Sequence, residues 1–296
     1  MTLPRPLADW VAAETGAALR SARQLAGSTS TTLYVLELDR REPLVLRVFD
    51  NAAWLAHEPD LPQHEVAALR HAARAGIPTP EAVALAVDDP PGGVPLLLMT
   101  ALPGRVDLAP PHLAAWLDRL AMTLVPLHAL APDGFPWTYF TYNDVTQLTV
   151  PAWSAQPGAW TRVLDAASGP RPRARTCFIH RDYHPTNVLW QAGEVSGVVD
   201  WVNACVGAPN LDVAHCRLNL AQLYGVESAD HFLRGYQAQA AGFAYDPYWD
   251  ALALIEVLPG PPELYQGWVD FGVTHLTPDT VRARLDAYAC HLAARL

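Results

Sequence analysis

The amino-acid sequence predicts an α+β protein in two lobes, a small β-rich N-lobe and a larger, mainly helical C-lobe. Three observations predict it. Short apolar runs bounded by turn residues fill residues 32–99. Helical spacing of apolar residues dominates beyond residue 104. A polar cluster, His180-Arg181-Asp182-Tyr183-His184-Pro185-Thr186-Asn187, lies between the buried runs Cys177-Phe178-Ile179 and Val188-Leu189-Trp190, and a third run ends on Asp200-Trp201. Read as three short strands, these runs bring Asp182, Asn187 and Asp200 to neighbouring strand ends and loops.

Composition bounds the function classes. The 296 residues suffice for two lobes around sizeable cores. Half of them are hydrophobic and 17% are charged, which marks a globular chain. The net charge of -10, with no basic patch, excludes a nucleic-acid partner. No apolar run reaches membrane-spanning length, and residues 1–10 lack a signal-peptide core. The four cysteines are scattered without a Cys-x-x-Cys pair. A cytoplasmic protein with free thiols and no membrane partner is expected. All twenty basic residues are Arg, which reads as a genome-composition bias. A site that elsewhere uses Lys must use something else here.

In order along the chain, residues 7–19 read as a helix from Leu7, Trp10, Val11 and Leu19. Residues 24–32 form a small polar segment around Gly27, with Ser28 and Thr29 the candidates to lie over phosphates. It has neither a Walker loop nor Gly-x-Gly-x-x-Gly, so P-loop and dinucleotide-binding folds receive no support. Strands are expected at 32–38 and 44–49, joined by a turn at 39–43. Arg47 lies within the second of them, and a charge in so apolar a strand calls for a partner. A helix over 63–75 carries Glu65 in its first turns and stops at Gly76. Strands at 82–87 and 95–99 complete the N-lobe, 1–99. The composition changes at 100–104, which we read as a hinge, and 105–296 form the C-lobe.

Helices are expected there at 111–127, 160–167, 212–223, 229–241, 249–258 and 277–296, with a short one at 265–273. Asp212 is placed as the N-cap of its helix, and Pro278 and Asp279 suit the start of the last. Residues 133–151 form a loop rich in aromatic residues, readable as a substrate wall or as packing on the C-lobe. Residues 191–194 read as a hairpin turn using Gly193. Asp246, Asp250, Glu256, Glu263 and Asp270 stand among Tyr245, Tyr248, Trp249, Tyr265 and Trp268. That mixture suits a cationic or sugar-like ligand, and equally suits solvated helix faces.

The polar cluster carries the chemistry. Asn187 and Asp200 offer the hard oxygen ligands that Mg²⁺ needs beside nucleotide phosphates, which leaves Asp182 to accept a hydroxyl proton. The stretch resembles the aminoglycoside phosphotransferase family of small-molecule kinases, whose pattern is similar to His-Gly-Asp-x-His-x-x-Asn followed by Asp-Trp. Arg181 replaces the usual Gly, and Asn203 replaces a residue that is often acidic. The match follows the chain in order but is sharp only between His180 and Ala214. The resemblance implies a protein-kinase-like fold and in-line transfer of the γ-phosphoryl group of ATP, or alternatively GTP, to a hydroxyl of a small molecule. It implies that Asp182 is the base, that His180 braces the loop and that His184 stands behind it. Arg47, oriented by Glu65, would grip phosphate where protein kinases use Lys. Met99, Thr100 and Leu102 would line the adenine site, and Asp212 would bond the backbone at His180.

The rivals are other kinases of the same fold (for choline, homoserine, a methylthio-sugar, a macrolide or a protein Ser/Thr) and a nucleotide-binding pseudokinase acting as a scaffold. A metal hydrolase built on His180, Asp182, His184 and Asp200 is a third. Neither Asp-Phe-Gly nor Ala-Pro-Glu supports a protein kinase.

Overall fold

The computed structural model describes residues 3–27, 30–258 and 260–296. The N-terminal helix, α1 (Arg5–Thr15), ends at Gly16, whose φ of 66° is the left-handed stop that glycine takes freely. Then come β1 (Leu19–Gln24), β2 (Thr32–Leu38) and β3 (Arg41–Val48), the short helix α2 (Ala52–His57), α3 (Leu61–Ala72), β4 (Ala82–Ala86) and β5 (Leu96–Thr100). The five strands form one antiparallel sheet in the order β1-β2-β3-β5-β4.

Two elements here differ from expectation. β1, Leu-Arg-Ser-Ala-Arg-Gln, has no apolar alternation because it is an edge strand with neither face deeply covered. α2 buries none of its residues, so it carries no amphipathic signal, and Asn51 starts it by accepting from the Trp54 N–H.

Alternation along β3 sorts the two cores. Leu44, Leu46 and Val48 pack with Leu36, Leu98, Leu7 and Val11 under α1. Val45, Leu97 and Met99 belong to the larger core on the opposite face. Arg47 lies on that second face, the side from which α3 covers the sheet, and so meets Glu65.

The remaining elements are α4 (Leu113–Ala129), α5 (Pro157–Ala167), β6 (Cys177–Ile179), β7 (Val188–Gln191), β8 (Glu194–Val198), β9 (Cys205–Gly207), α6 (Pro209–Tyr224), α7 (Val226–Gln239), α8 (Pro247–Leu254), α9 (Gln266–Asp270) and α10 (Pro278–Ala293). The three catalytic-region strands do not share a sheet. β7 and β8 form a hairpin through Ala192-Gly193, while β6 pairs with β9, which is too short for a sequence pattern to reveal. α6 is buried nearly all round, against α7, α8 and α10, which is why it shows no amphipathic stripe. Its Arg217 is fully buried and bonded to Asp250 at 3.0 Å and to Asp230 at 3.1 Å. Among the described residues no helix is long and apolar enough to cross a membrane.

Candidate active site

The loop after β6 is held from beneath by one carboxylate. Asp212 accepts the backbone N–H groups of His180 at 2.8 Å and Arg181 at 2.6 Å, and meets His128 Nε2 at 3.0 Å. It is therefore not an N-cap. Pro209 opens α6 after Ala208, and Asp212 sits one turn in, aimed away from its own helix. His180 is fully buried, its ring 4.5 Å from that of Trp201. A carbonyl only accepts, so its Nε2 carries the proton and donates to Val199 O at 3.0 Å. Burial lowers its pKa against the pull of Asp212 and Asp182, which keeps the ring neutral. The hydrolase reading needs His180 and His184 to converge. Instead the metal-capable grouping is Asp182, His184 and His215, and His180 stands apart from it.

Asp182 reaches the surface of a cavity, with its side chain 30% exposed. Oδ1 lies 3.1 Å from His215 Nε2 and 3.5 Å from His184 Nε2. Oδ2 lies 3.3 Å from Asn187 Nδ2, which also donates to the Asp182 carbonyl at 2.9 Å. Burial would raise this carboxyl, but His184 and His215 outweigh it and hold the pKa well below the usual range. His215 continues the chain of contacts through Nδ1, 3.3 Å from Glu256. Burial pulls its pKa down, yet the two carboxylates push it up to about 10. A protonated imidazole has no lone pair to offer a metal, so this trio is a charge cluster in its resting state.

The role of His215 was not legible from any motif. The available signal was its spacing: three residues beyond Asp212 on α6, it shares the helix face that meets the loop. Its raised pKa has a stability consequence. The stabilisation is complete below the unfolded value near 6.5 and is lost as pH rises through about 10. His215→Gln is expected to cost about 2 kcal/mol at pH 6, the scale of a charge-assisted bond. The cost should shrink toward zero by pH 10, as urea melts at pH 6, 8 and 10 would reveal.

Arg47 joins the sheet to this loop. It is 3% exposed, forms an ion pair with the buried Glu65 at 3.1 Å, and donates to Asp200 Oδ1 at 2.7 Å. The contact with Glu65 is not aligned as a hydrogen bond. Burial opposes the charge on Arg47, but Glu65 and Asp200 more than restore it. Burial pushes Glu65 up to about 7 against the pull of Arg47, so the pair is fully ionised on the alkaline side of neutrality. Asp200 adopts a φ of 68°, and the Val199 N–H before it donates to Asn187 O at 2.9 Å, which ties the two loops together. The Asn203 Oδ1 is buried without a hydrogen-bond partner.

Of the residues expected near a nucleotide, Met99 is buried in the core of β5. Thr100 closes β5, and its N–H is taken by Glu81 O at 2.9 Å. Leu102 follows with its side chain packed over Gly197 of β8. Ser28 and Thr29 lie outside the described residues. Gly27, just before them, donates its N–H to Asp270 Oδ2 at 3.0 Å, and the Phe271 ring occupies the space a Gly27 side chain would need.

A cavity of about 310 Å³ opens beside Asp182, walled by Tyr139, Phe140, Tyr142, Arg181, His215 and Glu256. The aromatic loop is thus part of a wall. Of the five acids singled out in the sequence only Glu256 reaches it. Asp250 is buried on Arg217, Asp246 caps α8, Asp270 meets Gly27, and Glu263 is exposed elsewhere.

Solved structures share this architecture. Aminoglycoside phosphotransferase APH(4)-Ia is 18% identical, with 97% of this chain and 99% of that one covered at a TM-score of 0.63. A thermostable mutant of it, in ternary complex with ADP and hygromycin B, covers 96% and 98% at 17% identity and a TM-score of 0.60. The macrolide 2'-phosphotransferase of Brachybacterium faecium is 17% identical, covering 95% and 97% at a TM-score of 0.60. At these identities the likeness establishes the fold, a protein-kinase-like arrangement of β-rich and helical lobes. Among curated proteins, acyl-CoA dehydrogenase family member 10 of Mus musculus is 26% identical over 72% of this chain, and homoserine kinase of Methylocella silvestris is 29% identical over 64%. The chain spans 21% and 58% of the lengths of those two proteins. A family profile matches residues 21–255, most of the chain and all of the loop from His180 to Asn187, and the protein belongs to the phosphotransferase enzyme family, APH.

Proposed function

We propose that this protein is a small-molecule kinase that moves the γ-phosphoryl group of ATP to a hydroxyl of its acceptor. The observation that carries the reading is the convergence at one loop of three things. Asp182 is held ionised at the mouth of a cavity, Asn187 is bonded to it, and Asp200 is tied to Asn187 through Val199 and carries the Arg47–Glu65 pair. The adenine nucleotide in a structure of the same fold favours ATP over GTP. The homoserine kinase and the antibiotic phosphotransferases among the similar proteins favour a small-molecule acceptor. A cytoplasmic site of action fits an ATP-dependent reaction.

The chain's own residues divide the work. Asp182 orients the acceptor hydroxyl and takes its proton. His215 and His184 fix the Asp182 carboxylate, so that its position is set before the acceptor arrives. Arg47 holds phosphate oxygens, steadied by Glu65. The segment 100–104 serves as the hinge between the lobes and, with Met99 behind it, receives the adenine. Ser28 and Thr29 belong to the loop proposed to cover the phosphates.

Asn187 and Asp200 would hold Mg²⁺. The donor set fits, because Asn187 Nδ2 is spent on Asp182, which leaves the amide oxygen, and Asp200 is one-third exposed. When bound, Mg²⁺ supplies charge neutralisation on the phosphates.

The test is calorimetric titration of the purified protein with Mg-ADP, followed by ADP release with Mg-ATP over a panel of hydroxylated acceptors. Nucleotide binding with acceptor-dependent release is expected. No nucleotide binding overturns the reading, and binding without turnover by any acceptor points to a scaffold.

A further inference from the structure

The chemistry of the acceptor is written in the cavity beside Asp182. The inference rests on the kinase reading, because it takes that cavity as the acceptor site. The first observation is Arg181. Its φ of 69° lies in the left-handed region, which is unfavourable for a residue with a Cβ. The side chain held there is stacked on the aromatic wall. Its guanidinium carbon lies 4.2 Å from the ring centre of Phe140, 4.8 Å from that of Tyr142 and 5.5 Å from that of Tyr139. Nη2 donates to Phe140 O at 2.8 Å. These contacts fix the plane of the fork without neutralising it. Among the described residues Arg181 has no carboxylate partner, and it is one of the residues that wall the cavity.

The second observation is that each carboxylate at the cavity already has a side-chain partner. Asp182 is bound by His215 and His184, and Glu256 by the other nitrogen of His215. Glu58, at the aromatic rim, accepts from Tyr142 Oη at 2.7 Å and Trp54 Nε1 at 2.9 Å. Arg181 is thus the charged side chain of the cavity wall that forms no ion pair among the described residues. A carboxylate would meet a planar donor fork already fixed in place, the geometry that arginine reads best. The cavity is also small. At about 310 Å³ it stands at the lower end of the roughly 300–1,000 Å³ of ligand sites.

We propose that the acceptor is a compact hydroxylated carboxylate, its carboxylate gripped by Arg181 and its hydroxyl presented to Asp182. Transfer forms the acceptor O–P bond and breaks the bond from the γ-phosphorus to the bridging oxygen of ADP. The hydroxyl proton leaves through Asp182 to solvent. The products are ADP and a phosphate monoester that keeps its carboxylate.

The experiment is calorimetric titration of the protein, saturated with Mg-ADP, with glycerate, 4-hydroxybutyrate and homoserine, and with kanamycin and choline as the cationic counterparts. Wild type, Arg181→Gly and Arg181→Lys are compared. Glycine is at ease at this φ, so Arg181→Gly keeps the loop, and its thermal melt checks that it does. At least one hydroxycarboxylate is expected to bind wild type more tightly than kanamycin or choline. Its affinity should fall about tenfold or more in Arg181→Gly and by less in Arg181→Lys. If that probe is turned over, the loss should fall on KM more than on kcat. The proposal is overturned if no hydroxycarboxylate binds, if kanamycin binds better, or if Arg181→Gly leaves carboxylate affinity unchanged. Mg-ADP binding separates the two claims. Its absence sinks the kinase reading itself, while its presence without carboxylate binding sinks only the acceptor class.

Discussion

Asp182→Asn is expected to lower acceptor-dependent turnover about a thousandfold, within the 10²–10⁴ range of general base catalysis. The replacement keeps size but removes the charge. The amide oxygen can still accept from His215 Nε2; the amide nitrogen then falls opposite Asn187 Nδ2 and loses that long contact, while the bond from Asn187 to the carbonyl of residue 182 remains to hold the loop. Mg-ADP binding by calorimetry should be unchanged, because Asp182 lies on the cavity side of the site. A second readout needs no acceptor. The Asp182 charge is one of the two that raise His215, so the His215 proton should leave at lower pH in the variant, followed by histidine NMR. Turnover within tenfold of wild type would remove Asp182 from the role of base.

Arg47→Met is expected to cost about 3–5 kcal/mol of stability, because it leaves Glu65 buried at 1% exposure without its counter-charge. The sign with pH follows from the raised carboxyl. A lone buried Glu65 takes a proton, so the cost should be smaller at pH 5, where Glu65 is neutral anyway, than at pH 8. Glu65→Gln in the Arg47→Met background should recover much of the loss, since a neutral amide has no charge to bury. Urea unfolding of the two single variants and the pair at both pH values gives the coupling directly. A loss below about 1 kcal/mol at pH 8 would assign the pair no more weight than a surface ion pair.

What the sequence made legible depended on how far apart the contributing residues lie. The catalytic loop was readable because Asp182 and Asn187 sit five residues apart, and their chemistry fits the polar cluster between two apolar runs. Arg47 was readable as a charge amid Leu44 to Phe49 that must find a partner, and the family resemblance named Glu65 on the next long helix, with Glu58 and His64 nearby as alternatives. His215 was not, and Glu256 was only one acid among five, because they come from α6 and the turn after α8: His215 meets Asp182, and Glu256 meets His215, only when the helices beyond residue 104 pack. The same holds for the acids that suggested a cationic ligand. Nothing local separates Glu256, which faces the cavity, from Asp250, which is spent on Arg217. The strand β1 escaped because polar residues on an edge strand carry no period, and β9 because three residues cannot show one.

The bond from Gly27 to Asp270 joins residues 243 positions apart. Neither the sheet nor the helical lobe needs it for its own integrity. Closing so long a loop is only slightly dearer in entropy than closing a short one, since the cost grows with the logarithm of length. Exposed as it is, the bond can break in a local opening without global unfolding. The solvent exchange rate of the Gly27 amide is therefore a clock for the parting of these two distant segments.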